Sequence, residues 1–362
     1  MVSQVQAGPS GIYIHIPFCK RACFYCHFVK HPYNQDQMDS YVAGLVKEIG
    51  LYSSPATINS VYIGGGSPSL LNASQLSAIT GAVAAHFTLD PHLEFTLEMN
   101  PEDVTMDKLQ LLKDIGVNRL SIGTQSFVQQ DLDYLKRTHS IAQSLDAVQN
   151  ALKIGFTNLN IDFIISLPNQ TRQSLEQSFA LLHDLDIPHI SAYILEEVAE
   201  LENEENLEQK IARDVDCYFF TRDVLTGLGY VHYEVSNFCK PGFCSRHNLK
   251  YWKNEEYLGI GLSAAGFVGG VDYKNTVTFE RYYEQINAGQ RPQEELNHPN
   301  IALRKIITGL RLLEGIPVEY FKPFLKETEF LLAGGILVQN KNNIAVQPDK
   351  ILVLNEILAY FL

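Results

Sequence analysis

Three thiols lie within eight residues, Cys19, Cys23 and Cys26, in the spacing C-x3-C-x2-C. They follow a short β-branched run, Ile12 to Ile16, closed by Pro17. That run reads as a strand and the proline as its exit turn. One loop with three cysteines is a ligand short of a structural zinc site, which takes four. Three thiolates suit a four-iron cluster in which one iron stays open for another ligand. A zinc knuckle borrowing Cys239 or Cys244, or three buried thiols without metal, are the competing readings.

Other chemistry-bearing residues recur where short apolar runs end. Ser60–Ile63 leads into Gly64-Gly65-Gly66-Ser67, where the absence of Cβ atoms lets backbone approach a ligand, or simply turn. Glu98 ends the run from Leu93, Gln125 follows Arg119–Ile122, and Asp162 lies inside Leu159–Ile165. A carboxylate in a core strand needs a partner: a bound ammonium, ribose hydroxyls, or an arginine such as Arg137. A structural ion pair between Asp162 and Arg137 satisfies the same pattern.

The elements that must position these residues alternate regularly. Helical patterns run from Asp36 to about Leu51, from Ala73 to His86 and up to Lys113, and His189–Ile194 reads as a sixth strand. Repeated βα units imply a parallel sheet covered by helices. Six of them predict an α/β fold, an incomplete (β/α)6 barrel of TIM type with its site at the carboxyl ends of the strands. Three regions are expected: 1–235 as the partial barrel, 236–300 as a connecting region, and 301–362 as a small helical, winged-helix-like unit.

Lys+Arg 28 against Asp+Glu 41 gives a net charge of −13, which argues against a general nucleic-acid binder. The terminal unit has seven Lys/Arg against six Asp/Glu, again no footprint for DNA. No apolar run reaches membrane-spanning length, and Met1–Ser10 lacks the features of a signal peptide. Six cysteines without a secretory signal fit a reducing cytoplasm better than a disulfide scaffold.

With these motifs in view, the chain resembles the HemN/HemW group of radical S-adenosylmethionine (SAM) proteins. That group contains oxygen-independent coproporphyrinogen III oxidases and haem chaperones. The resemblance runs through Tyr-Ile-His-Ile-Pro-Phe-Cys at 13–19, Gly-Gly-Gly-Ser-Pro-Ser at 64–69 and Glu-Met-Asn-Pro at 98–101. It continues through Arg-Leu-Ser-Ile-Gly-Thr-Gln-Ser-Phe at 119–127, Arg-Thr-His at 137–139 and Asn-Ile-Asp-Phe-Ile at 160–164. It implies that Cys19, Cys23 and Cys26 hold a 4Fe-4S cluster. It implies too that Tyr13, Gly66, Ser67, Glu98, Gln125, Arg137 and Asp162 contact SAM.

Two features separate the branches. The oxidases are similar in carrying a cysteine two residues after the last cluster cysteine, where this chain has Phe28. The chaperones carry His-Asn-x-x-Tyr-Trp, matched here by His247–Trp252. The resemblance therefore implies a haem chaperone that delivers its cargo to haem proteins, among them membrane-associated respiratory enzymes. A coproporphyrinogen oxidase or another SAM-dependent haem-modifying enzyme is the alternative, and no residue is assigned a catalytic role. His247, Tyr251 and Trp252 become candidate haem contacts, since an imidazole with aromatic neighbours suits a haem. A packed loop with His247 bonded to backbone is the plainer reading.

The chain departs from the group's usual pattern at His27, where Asp is usual, and at Ala265, where His is usual. Residues 196–208, with seven Glu, read as a solvated connector or lid. Cys217 reads as core. Cys239, Cys244 and His247 form a weak candidate metal site.

Overall fold

The computed structural model describes residues 8–196 and 206–362. Six parallel strands follow one another in chain order: β1 (Gly11–Ile16), β2 (Ile58–Gly65), β3 (Leu89–Met99), β4 (Arg119–Gln125), β5 (Asn158–Ile165) and β6 (His189–Ile194). The acidic stretch beyond Glu196 lies mostly outside the described residues.

Their side chains alternate with period two, as strand geometry requires. On one face lie Ile12, Ile14, Ile16, Ile63, Leu97, Leu120, Ile122, Ile161 and Ile190, all fully buried or nearly so. That face belongs to the main hydrophobic core. It is covered by helices that include α1 (Gln35–Ile49), α2 (Ala73–His86), α3 (Met106–Asp114) and α4 (Ile141–Ile154). Asn34, Asn72, Thr105 and Ser140 cap their first turns, each accepting a backbone N–H bond. The other face carries Tyr62, Thr96, Glu98, Arg119, Ser121, Asn160, Asp162, His189 and Ser191. Strands of a parallel sheet covered on both faces normally read as continuous apolar runs. Here the second face lines a polar interior.

The sheet continues past these six. Strand β9 (Tyr257–Ile260) pairs parallel with β1. Beyond it β10 (Ala265–Val268), β11 (Val271–Asn275) and β12 (Gln293–Asn297) add antiparallel. On the other side the hairpin β7 (Val231–Glu234) and β8 (Asn237–Cys239) pairs antiparallel with β6. The result is a twelve-stranded sheet with two free edges, an incomplete barrel. Residues 236–300, expected as a connecting region, thus supply five strands of the main sheet.

The terminal part has helix Ile301–Gly309, helix Leu325–Ala333, a hairpin of Leu337–Asn340 with Asn343–Val346, and a short last helix, Leu354–Leu358. Ile316–Pro317 adds a third strand.

Candidate functional site

The strand ends open into one cavity of about 1090 Å³. Cys19, Cys23 and Cys26 line it from the loop after β1, and Gly66, Ser67, Glu98, Gln125, Arg137 and Asp162 from the strand ends. Every expected cluster residue, and every expected SAM residue but one, meets there. The exception is Tyr13. Its ring stands 6.1 Å from that of Tyr62 and its hydroxyl bonds His15 Nδ1 at 2.9 Å, one layer behind the cavity wall.

The glycine turn is shaped by its neighbours. Gly65 has φ +114°, and a Cβ there would lie 2.5 Å from the His15 ring. A Cβ on Gly66 would lie 2.7 Å from the Phe18 carbonyl oxygen and 3.0 Å from Cys19 Sγ. Only glycine lets this turn pass so close beneath the thiol loop. Burial raises the Cys19 thiol above its ordinary value, against a bond with Ser67 that lowers it. Iron would reverse that balance, because metal ligation requires the thiolate.

Glu98 is held by donors alone: the Tyr62 hydroxyl at 2.7 Å and the Gly65 N–H at 3.0 Å. Burial pushes its carboxyl up to about 7; the Tyr62 bond opposes this and the Asp162 charge adds to it. Asp162, raised by burial as well, accepts from Asn160 Nδ2 at 2.8 Å and Ser121 Oγ at 3.3 Å. Asn160 Oδ1 in turn meets His189 Nδ1 at 2.6 Å and accepts from Ser191 Oγ at 3.1 Å. Carboxylates ringed by donors at strand ends can receive ribose hydroxyls or an ammonium group.

Arg137 does not pair with Asp162. Its guanidinium donates to Asn100 Oδ1 at 2.8 Å and to the Gly123 carbonyl at 3.2 Å, and it lies 3.4 Å from both Cys23 Sγ and the Tyr25 hydroxyl. A cation beside the thiol loop suits a carboxylate ligand there.

Sequence reasoning missed Arg119. It is 1% exposed, lines the cavity, and its Nε has no hydrogen-bond partner among the described residues. Its charge acts on both Glu98 and Asp162 and opposes their upward shifts. The signal was in the sequence: polar residues at every second position of strands that parallel packing must bury.

The candidate haem residues lie beside the cavity rather than in its wall. His247 is 1% exposed, and both ring nitrogens are engaged, Nδ1 with Ser60 Oγ at 2.9 Å and Nε2 with the Tyr251 hydroxyl at 2.8 Å. Of the whole motif only Asn248 reaches the cavity.

The weak candidate metal site falls. Cys239 and Cys244 form a disulfide, with Cα atoms 5.2 Å apart, and His247 is committed elsewhere. Neither cysteine is then free to complete a zinc knuckle with the thiol loop. Cys217 is buried, as expected.

The family model of the radical SAM superfamily matches residues 13–182. The chain is 37% identical to the haem chaperone HemW of Lactococcus lactis over 321 residues, covering 87% of this chain and 84% of that one. It is 33% identical to HemW of Bacillus subtilis, with 85% of each chain covered, and 31% identical to HemW of Escherichia coli, with 99% of each covered. Among solved structures, the coproporphyrinogen III oxidase HemN of Escherichia coli superposes with a TM-score of 0.83 at 23% identity, over 99% of this chain and 91% of that one, which establishes the shared fold. The radical SAM match implies a 4Fe-4S cluster and SAM binding, and the residues lining the cavity fit both. The chain belongs to the HemW family of radical SAM proteins.

Proposed function

We propose that this protein is a cytoplasmic haem chaperone that binds SAM through its cluster and passes haem to haem proteins. In this reading residues 1–235 carry the cluster and SAM site, 236–300 extend the sheet beside it, and 301–362 form an accessory unit. Cys19, Cys23 and Cys26 hold the cluster. Arg137 takes the SAM carboxylate, and Glu98 and Asp162 take its hydroxyl or ammonium donors. When bound, the cluster supplies a site for SAM at its open iron and a source of single electrons.

The observation that carries the reading is the match to relatives named haem chaperones over 85% or more of the chain. Phe28 supports it: 63% exposed at the cavity, it stands where the oxidases have cysteine. No helix among the described residues is long and apolar enough to cross a membrane. Membrane-associated recipients would therefore be met from outside the bilayer.

The test is anaerobic reconstitution of the cluster, followed by haem titration and an oxidase assay on the same preparation. The expected outcome is haem binding without protoporphyrinogen. Turnover of coproporphyrinogen III with SAM and reductant sinks the assignment.

A further inference from the structure

Behind the Asp162 carboxylate a file of buried polar groups reaches from β5 to β7. Sheet register sets it up: Asn160 of β5 lies beside His189 of β6, and Asp162 beside Ser191. Asn160, His189, Ser191 and Tyr233 are buried, whereas Asp162 lines the cavity.

The two ends of the file fix its direction. At one end the Ser245 backbone N–H, which can only donate, bears on the Tyr233 hydroxyl and opposes the rise that burial and the Glu234 charge impose on it. Tyr233 therefore turns its own O–H toward His189 Nε2, 2.9 Å away. An accepting Nε2 leaves the ring proton on Nδ1, which donates to Asn160 Oδ1 at 2.6 Å. With its oxygen so occupied, the Asn160 amide presents its NH2 to the other side. That group donates to Asp162 Oδ1 at 2.8 Å and to Ser121 Oγ at 2.7 Å. An ionised carboxylate can only accept, so the file ends there. A reversed amide would set oxygen against oxygen.

The arrangement needs a neutral His189, because a ring with two N–H groups would reverse the Tyr233 hydroxyl. Burial first, and then the Arg119 charge, hold this histidine well below its ordinary value. Ser191 does not fix the amide. Its hydroxyl lies 3.1 Å from Asn160 Oδ1 but also acts on Asp162, and a hydroxyl turns to serve either.

Resting on the reading that Asp162 holds SAM, we infer that His189 is a positioning residue for SAM. By fixing the Asn160 amide it keeps the Asp162 carboxylate aimed at the ligand's hydroxyl or ammonium donors. His189 itself stands behind the cavity wall.

The test is calorimetric SAM titration of the full-length, cluster-reconstituted protein in a double-mutant cycle of His189 and Asp162. His189→Leu should weaken SAM binding about tenfold, the cost of misaiming one charge-assisted bond. His189→Asn, whose side-chain NH2 falls near the place of Nδ1, should recover most of that loss. In an Asp162→Ala background His189→Leu should cost less than about twofold, because no carboxylate is left to aim. Equal losses in the two backgrounds, no recovery in His189→Asn, or no loss in His189→Leu would overturn the role and leave His189 as packing. If His189→Leu does not fold, Tyr233→Phe replaces it in the cycle, with a loss of about threefold expected beside Asp162 and none beside Ala. Should Asp162→Ala bind SAM as wild type does, the SAM-site reading falls and the positioning role falls with it.

Discussion

Glu98 and Asp162 sit inside the barrel on hydroxyl, amide and backbone donors, with the buried Arg119 guanidinium acting on both. Ionised, each accepts up to two or more charge-assisted bonds, worth about 1.5–3 kcal/mol apiece. Replacing either with alanine should therefore weaken SAM binding roughly ten- to a hundred-fold, with iron content held constant by Cys19, Cys23 and Cys26. Since burial holds Glu98 near 7, SAM affinity should rise as pH passes upward through about 7. Arg119→Met removes a charge that favours ionisation, so the midpoint of that rise should move to higher pH. Calorimetric SAM titrations between pH 6 and 8.5 check both; an unchanged midpoint in Arg119→Met would make the arginine a packing residue only. Unchanged affinity in Glu98→Ala and Asp162→Ala would make those carboxylates structural.

At the scale of elements, local pattern went far and pairing did not. Helix α2 spans Ala73–His86 and β6 spans His189–Ile194, both at the expected ends, because a capping box and a β-branched run mark them locally. The gathering of Cys19, Cys23 and Cys26 at one cavity was legible from spacing. The pairing of β1 with Tyr257–Ile260 was not, since four residues some 240 positions away leave no local trace of a partner. The Arg119 side of the interior was passed over because only carboxylates were taken as anomalous in a buried strand. The short helix Arg246–Trp252 carries the motif taken as a candidate haem contact, with His247 buried and Tyr251 and Trp252 half-buried. Glu94 accepts the Arg246 and His247 backbone N–H groups at 3.0 Å each, which locks the helix start to β3. His247→Ala strands the Ser60 and Tyr251 hydroxyls and leaves a void, so it should destabilise the apo protein by about 2–4 kcal/mol. Urea unfolding without haem measures this. A loss below about 0.5 kcal/mol would show that His247 contributes little to packing.

For the molecule as a whole, three carboxyls tie the sheet together, Glu48 and Glu234 buried and Glu98 half-buried at the cavity wall. Glu48 on α1 accepts from the Gly261 N–H at 2.8 Å, Asn275 Nδ2 at 2.8 Å and the Tyr282 hydroxyl at 2.7 Å, joining the first helix to the strands added beside β1. Glu98 lies at the centre, and Glu234 accepts from the Ser236 N–H at 3.3 Å and from Asn237 near the far edge. Burial pushes each of the three up to about 7. Between the ordinary carboxyl range and 7 the folded chain therefore holds protons that the unfolded chain has released, and stability falls as pH rises. Buried histidines act the other way. Burial lowers His15 and His232 to about 4 and His247 to about 3, so below about 6.5 the unfolded chain binds the extra protons and stability falls as pH drops. The two slopes oppose each other below 6.5, and above it only the carboxyl slope remains. The apo protein should accordingly be less stable at pH 8 than at pH 6.5, with Tm lower by on the order of a few degrees. Thermal melts at constant ionic strength measure it. A Tm that is flat or rises between pH 6.5 and 8 would show that these three carboxyls are ionised within the fold.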